Sequence, residues 1–293
     1  MKSPDMIPVR DIQNKMLEIL VYFRDFCEGN DLKFTLCGGT CLGAVRHQGF
    51  IPWDDDIDVF MLREDYEKLQ TLWEKNADTG RYTCVRSNET INIHHSATEI
   101  KDNNTTFINR HSVDSDIHHG LMIDVIPVDG IPASGWRRAL QMIDSMVYCC
   151  FNFQRLPEHK GKLIYFATKV MLDVFRSPKI RYKIWKGAEK RLSRYGTENC
   201  SQVASFGEGA TIMRMRFPTQ WFRDVRYMDF EGYRMPVPAD VDQYLKISFG
   251  DYMQLPPEED RVARHNAVFI DLNNSYTKYK GIHYCVKKWK GNL

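Results

Sequence analysis

A chain of 293 residues, 43% apolar and 27% charged, can bury a full core and has room for about two lobes. Its net charge of +2 argues against a general nucleic-acid-binding role. The longest uncharged run, 34–45, is twelve residues and contains glycine, too short for the roughly twenty apolar residues of a spanning helix. The first fifteen residues lack the apolar stretch of a signal peptide, and the eight cysteines show no CxxC pair. Free thiols in a reducing compartment, and hence a cytoplasmic protein, are expected.

In chain order, apolar residues at Ile12, Met16, Ile19, Leu20, Phe23 and Cys27 predict an amphipathic helix over 11–27, ended by Gly29–Asn30. Residues 33–37 predict a short strand into Gly38–Gly39–Thr40. There the glycines would let the backbone approach a phosphate, and Thr40 would cap a short helix whose N-terminus favours anions. Arg46 follows as a candidate phosphate clamp. Then come Asp54, Asp55, Asp56 and Asp58. In a strand over 56–61, Asp54, Asp56 and Asp58 would share one face and Ile57 and Val59 the buried one. Like charges so aligned repel. A divalent cation removes that cost, and Mg²⁺ is commonly held by one or two carboxylates together with substrate phosphates.

Further on, 63–76 predicts a helix with Tyr66, Leu69 and Trp73 on one face, and 82–87 and 91–100 predict strands. In the second strand His94 and His95 would point to opposite faces. Five histidines lie between His94 and His119 without a metal-ligand spacing. In 120–130, Asp124 is a lone charge in an apolar run. Its accounts are a basic partner in the core, a strand-end position, or a role as a third active-site carboxylate facing Asp56 and Asp58. Asp129–Gly130 reads as a turn.

Trp136, Ala139, Leu140, Ile143, Val147 and Cys150 follow a helical period, as do 163–175 and 180–192. This helical lobe is basic. Residues 155–194 hold twelve Lys/Arg against three Asp/Glu, a local +9, so the rest of the chain carries −7. The lobe could be a solvated face, or could meet an anionic acceptor or the inner membrane leaflet. Residues 202–206 predict a strand, and 226–230 with 233–237 a hairpin around Glu231–Gly232. Asp240 caps a helix to Phe249 with Gln243 as partner, and Gly250 ends it. Arg261 and His265, four apart, would share a helical face as substrate-binding candidates.

Gly38–Gly39–Thr40, the run from Leu42 to His47, and Gly49–Phe50–Ile51–Pro52–Trp53–Asp54–Asp55–Asp56–Ile57–Asp58 resemble the signature of the LicD family. That family includes bacterial phosphocholine transferases and fukutin-related ribitol-phosphate transferases, within the nucleotidyltransferase-fold superfamily. The segments 118–130 and 217–265 are similar to the same family. The resemblance implies an α/β (α+β) fold, with a nucleotidyltransferase-like mixed sheet flanked by helices. We expect a catalytic core over 1–132, the helical lobe over 133–200, and a C-terminal segment over 201–293 completing the cleft.

It further implies metal-assisted transfer of a phospho-alcohol, most often phosphocholine, from a CDP-linked donor to a hydroxyl of a glycan or lipid-linked glycan such as lipopolysaccharide or teichoic acid, releasing CMP. Asp54, Asp56, Asp58 and Asp124 would hold Mg²⁺ or Mn²⁺, with Asp56, Asp58 and Asp124 catalytic. Gly38, Gly39, Thr40, Arg46, Arg261 and His265 would bind substrate. The same carboxylates would serve transfer of a whole nucleotide to the acceptor, the alternative chemistry.

Overall fold

The computed structural model describes residues 7–156, 162–209, 211–263 and 267–286. Helix α1, Val9–Gly29, buries Ile12, Met16, Ile19, Leu20, Phe23 and Cys27 along one stripe, as its spacing requires. Strand β1, Phe34–Leu36, leads into helix α2, Gly38–His47. Strand β2, Asp58–Leu62, returns antiparallel to β1 and runs straight into helix α3, Arg63–Asn76. Strands β3 (Tyr82–Val85), β4 (Thr98–Asp102), β5 (Thr106–Asn109) and β6 (Met122–Gly130) follow.

β6 is the centre of the main sheet. It pairs parallel with β2 on one side and antiparallel with β4 on the other, in the order β1-β2-β6-β4-β3. The fold is therefore mixed α/β. Val59, Phe60, Met61 and Leu62 are all buried, so β2 is covered on both faces beyond its first residue.

Helices α4 (Gly135–Phe153), α5 (Lys162–Val174) and α6 (Pro178–Leu192) form a lobe with its own small core, including Tyr148, Phe151, Trp185, Ala188, Leu192, Phe206 and Met213. The chain then adds β7 (Gln202–Ala204) beside the end of β6 and β8 (Phe217–Pro218) beside β7. Next come the short helix α7 (Gln220–Arg223), the hairpin β9 (Arg226–Phe230) and β10 (Tyr233–Val237), and helix α8 (Val241–Phe249). Asp240 Oδ1 accepts from the Gln243 amide, which caps α8, and Gly250 follows it at φ +69°. Strand β11, Ala267–Asp271, pairs with β5 away from the main sheet.

Several local expectations fail for identifiable reasons. Residues 91–97 are not a strand: Asn88 Oδ1 accepts from Thr90 and Ile91 amides, Asn92 Oδ1 accepts from His94, and His94 sits at φ +56°. Such side-chain bonds hold a chain in turns. Residues 54–57 lie outside β2, which starts at Asp58. Asp129–Gly130 is the end of β6 rather than a turn. Residues 261–263 follow a single 3-10 turn, Glu258–Asp260, instead of continuing a helix.

The lobe is joined to the sheet by a buried ion network. Arg63, at the start of α3, donates to both Asp129 carboxylate oxygens on β6 at 2.7 and 2.8 Å, and reaches Glu189 on α6 at 3.3 Å. Arg86 also donates to Glu189 at 2.7 Å. Burial opposes a charge on Glu189, but Arg86 and Arg63 hold its carboxyl down at about 2. Removing one partner from such a network strands the other charge. We expect Arg63→Met to cost about 3–5 kcal/mol by urea unfolding. Asp129→Leu in the same chain should recover part of that loss.

Candidate active site

The sheet register builds the site. Parallel pairing places Asp58 of β2 directly opposite Asp124 of β6, and antiparallel pairing places Glu99 of β4 opposite Asp124 on its other side. Paired residues on adjacent strands share a face, so three carboxylates stand in a row across the sheet. Lys101, two residues beyond Glu99, joins that face, with Nζ 2.9 Å from Glu99 Oε2. The turn before β4 brings in His95, whose Nδ1 lies 3.7 Å from Asp124 Oδ2 and 3.8 Å from Glu99 Oε1. Ligand atoms of His95, Glu99 and Asp124 all lie within 4.8 Å of one another. From the loop after β7, Glu208 is held by Ser96 Oγ at 2.6 Å, and its charge bears on Asp58, Asp124 and His95.

The Gly-Gly turn makes room for the acids. Gly38 has φ +53°, a conformation that glycine adopts without strain. A Cβ on Gly39 would sit 2.6 Å from Asp54 Oδ2, and one on Gly38 would sit 3.3 Å from Asp58 Oδ2. The two carboxylates thus lie over the start of α2. The backbone fixes them there: Cys37 N–H donates to Asp58 O, Thr40 Oγ1 accepts from Asp58 N–H at 2.9 Å, and Asp124 N–H donates to Ile57 O.

Crowding shows in the acidities. Burial first, then the charges of Asp56, Asp124, Glu208 and Asp54, push the Asp58 carboxyl well above the usual carboxylate range. Burial raises Asp124 to about 6; His95 offsets part of this, while Glu99 and Glu208 add to it. Burial works against a charged His95, but Asp124, Glu208 and Glu99 outweigh it and raise its pKa. Asp124 Oδ1 is buried with no hydrogen-bond partner among the described residues. A buried carboxylate oxygen without a donor is costly. Asp54, Asp56, Asp58 and Asp124 offer only carboxylate oxygens, the donor type a hard divalent cation prefers, but among the described residues the group whose ligand atoms stand within 4.8 Å of one another is His95, Glu99 and Asp124.

A cleft of about 590 Å³ opens from Gly39 and Asp54, and its lining includes Arg46, Trp53, Phe249, Asp251, Tyr252 and Asp260. Arg46 Nη1 donates to Tyr252 O at 2.9 Å, so it braces one cleft wall, while its Nε is buried without a partner. Arg261 donates to Pro256 O, and its guanidinium lies 5.6 Å from the Trp53 ring centroid.

The sequence-predicted site residues do not all take the geometry expected of them. The charges of Asp54, Asp56 and Asp124 all bear on Asp58, while Asp56 and Asp124 line a small cavity apart from the cleft; Gly39, Asp54 and Arg46 line the cleft itself, and Arg261 lies against Trp53 of its lining. Thr40 does not cap α2, whose cap is Cys37; its buried hydroxyl serves Asp58 instead. Gly38 N–H is taken by Tyr244 Oη at 3.0 Å. His265 lies outside the described residues.

His95, Glu99, Lys101 and Glu208 were missed. Glu99 and Lys101 had a signal, two charges two apart in a strand whose other residues include Thr98 and Ile100. His95 was obscured because the expected strand turned it away from His94. Glu208, between Gly207 and Gly209, carries no pattern.

Residues 31–127 match the family model described as LicD/FKTN/FKRP, nucleotidyltransferase domain. Over 275 residues the chain is 28% identical to the lipopolysaccharide cholinephosphotransferase LicD of Haemophilus influenzae, covering 88% of this chain and 96% of that protein. Uncharacterized proteins of Rickettsia prowazekii and Rickettsia typhi are 51% and 56% identical over 43 residues, 15% of this chain and 16% and 14% of theirs.

An acid whose pKa is raised by folding binds more protons folded than unfolded, so its contribution to stability falls as pH rises through that interval. For Asp124 the interval runs from the ordinary carboxylate value to about 6. We expect metal-free Asp124→Asn to melt higher than wild type at pH 7.5, with the gap closing by pH 4. Thermal unfolding of both proteins in EDTA across this range checks it.

Proposed function

From a chain whose residues 31–127 match the LicD/FKTN/FKRP nucleotidyltransferase domain, we propose a cytoplasmic Mg²⁺-dependent transferase that moves phosphocholine from CDP-choline to a hydroxyl of lipopolysaccharide or its precursor. The observation that carries this is the end-to-end similarity to the H. influenzae cholinephosphotransferase. The register pairing of Asp58 with Asp124 supports it, as does the cleft that opens at Gly39 and Asp54 of the same acidic segment. Among the described residues no helix is long and apolar enough to cross a membrane.

Asp56, Asp58 and the unpartnered Asp124 Oδ1 would hold the ion, with Asp54 at the cleft edge. When bound, Mg²⁺ supplies positive charge against the donor diphosphate and the departing CMP. Gly39 and the start of α2 accept the phosphates at close backbone range. Arg46 and Arg261 place positive charge on the cleft wall. Aromatic Trp53, Phe249 and Tyr252 with Asp251 and Asp260 form a lining suited to a quaternary ammonium.

The acceptor oxygen attacks the phosphorus that bears choline. The bond from that phosphorus to the bridging oxygen breaks, and CMP leaves with the electron pair. The hydroxyl proton passes to the Asp124 Oδ2–His95 Nδ1 pair, whose atoms stand 3.7 Å apart. Positioning and charge neutralisation supply most of the rate in such transfers.

With CDP-choline, a lipopolysaccharide acceptor and Mg²⁺, free CMP and acceptor-bound choline should appear in equal amounts. EDTA should stop the reaction and Mg²⁺ or Mn²⁺ restore it. Asp58→Ala should lower turnover at least about a hundredfold with the fold retained by circular dichroism. Unchanged turnover in that variant ends the proposal, and CMP found on the acceptor would establish nucleotidyl transfer instead.

A further inference from the structure

Helix α4 is folded with its polar side inward. Its buried residues include Arg138, Gln141, Ser145 and Asn152 alongside Tyr148 and Phe151. Gln141 Nε2 donates to Gly130 O and Leu192 O, Ser145 Oγ to Phe206 O, and Asn152 Nδ2 to His95 O. Trp136, Leu140, Ile143 and Met146 lie on the outer side, with 64% of Trp136 and 54% of Met146 exposed. Their spacing places them in one stripe along the helix. Turning α4 to bury that stripe would break four hydrogen bonds to buried carbonyls, so the outward apolar face is what this sequence specifies. Scattered surface apolar residues are ordinary, but a continuous stripe marks an interaction surface.

α5, in the same lobe, exposes Tyr165, Phe166, Val170 and Val174. Exposed cations belong to the same lobe. Arg137 lies with its guanidinium 5.4 Å from the Trp136 ring centroid, and Lys169, Arg176, Lys179, Lys183 and Lys190 project from α5, α6 and the link between them. Docking two copies through this lobe would bring together two segments, 155–194, that each carry a net +9. An anionic bilayer meets both requirements together, taking apolar side chains into the acyl boundary and basic ones at the headgroups. Tryptophan beside arginine suits that interface.

We propose that the outward apolar face of α4 docks on the surface of an anionic lipid membrane, lying on the bilayer without crossing it. This goes beyond the transfer reaction and is tested without turnover.

The full chain is sedimented with phosphatidylcholine vesicles and with vesicles containing about one third phosphatidylglycerol. Binding is expected to the anionic vesicles only, and to weaken at high salt. Trp136→Ser with Ile143→Ser should reduce binding at least tenfold while leaving the melting temperature and helix content nearly unchanged, because more than half of each residue is already exposed. Lys179→Gln and Lys183→Gln should each weaken it about fivefold. No binding of the wild type to anionic vesicles, or equal binding by the α4 variant, overturns the proposal. So does a wild-type dimer in light scattering that the α4 substitutions dissolve.

Discussion

Two carboxylates on adjacent parallel strands cannot move apart. Asp58 and Asp124 are register partners, and the hydrogen bonds that fix their backbones come from Cys37, Thr40 and Ile57, all in the segment that carries the glycine turn and the acids. Repulsion between them is therefore paid in stability, not relieved by rotation of a loop. The surrounding groups reduce it only in part: His95 and Lys101 lie on the Glu99 side of Asp124, while Asp54 and Asp56 add charge near Asp58. The proposed divalent cation would offset this imbalance.

The loop that carries the aspartates is held by polar groups with fixed partners. Glu231, at the tip of the β9–β10 hairpin, accepts from the Phe50 amide and pairs with Arg10 of α1, while Gln13 of α1 donates to Ile51 O and Asp54 O. Phe50, Ile51 and Asp54 belong to the loop that delivers the aspartates. Elements far apart in sequence, 10–13 and 231, thus clamp that loop from outside the sheet. Gly49 is required for this, because a Cβ there would meet Glu231 Oε1 at 2.3 Å.

The sequence made the elements legible wherever period and punctuation agreed. Helix α3 and the β9–β10 hairpin fall on the expected residues, and Asp240 and Gly250 bound α8 as read. Asp58 and Asp124 were legible because charge inside an apolar run has few explanations. What escaped was set by tertiary pairing. Asp129 looked like a turn residue because its partner, Arg63, is 66 positions away. Thr40 looked like a cap because cap chemistry is local, whereas its actual acceptor role answers Asp58. Glu208 has a role only because β7 extends the end of β6 and returns the chain to the site.

The orientation of α4 shows why period alone could not say which side of a helix is inside. Its period was correct, yet the face that packs is the polar one. That face serves the site: Asn152 fixes the carbonyl of His95, Ser145 fixes that of Phe206 two residues before Glu208, and Gln141 fixes Gly130 at the end of the strand that carries Asp124. Three segments bearing site residues are therefore tied to one helix through hydrogen bonds that apolar residues could not make. With Arg138, Gln141, Ser145 and Asn152 turned inward beside Tyr148 and Phe151, the apolar residues Trp136, Leu140, Ile143 and Met146 are left on the outer side. Their placement in one stripe, among basic residues, is then a second specification laid on the first. A helix that only needed to brace the site would carry charge on that side.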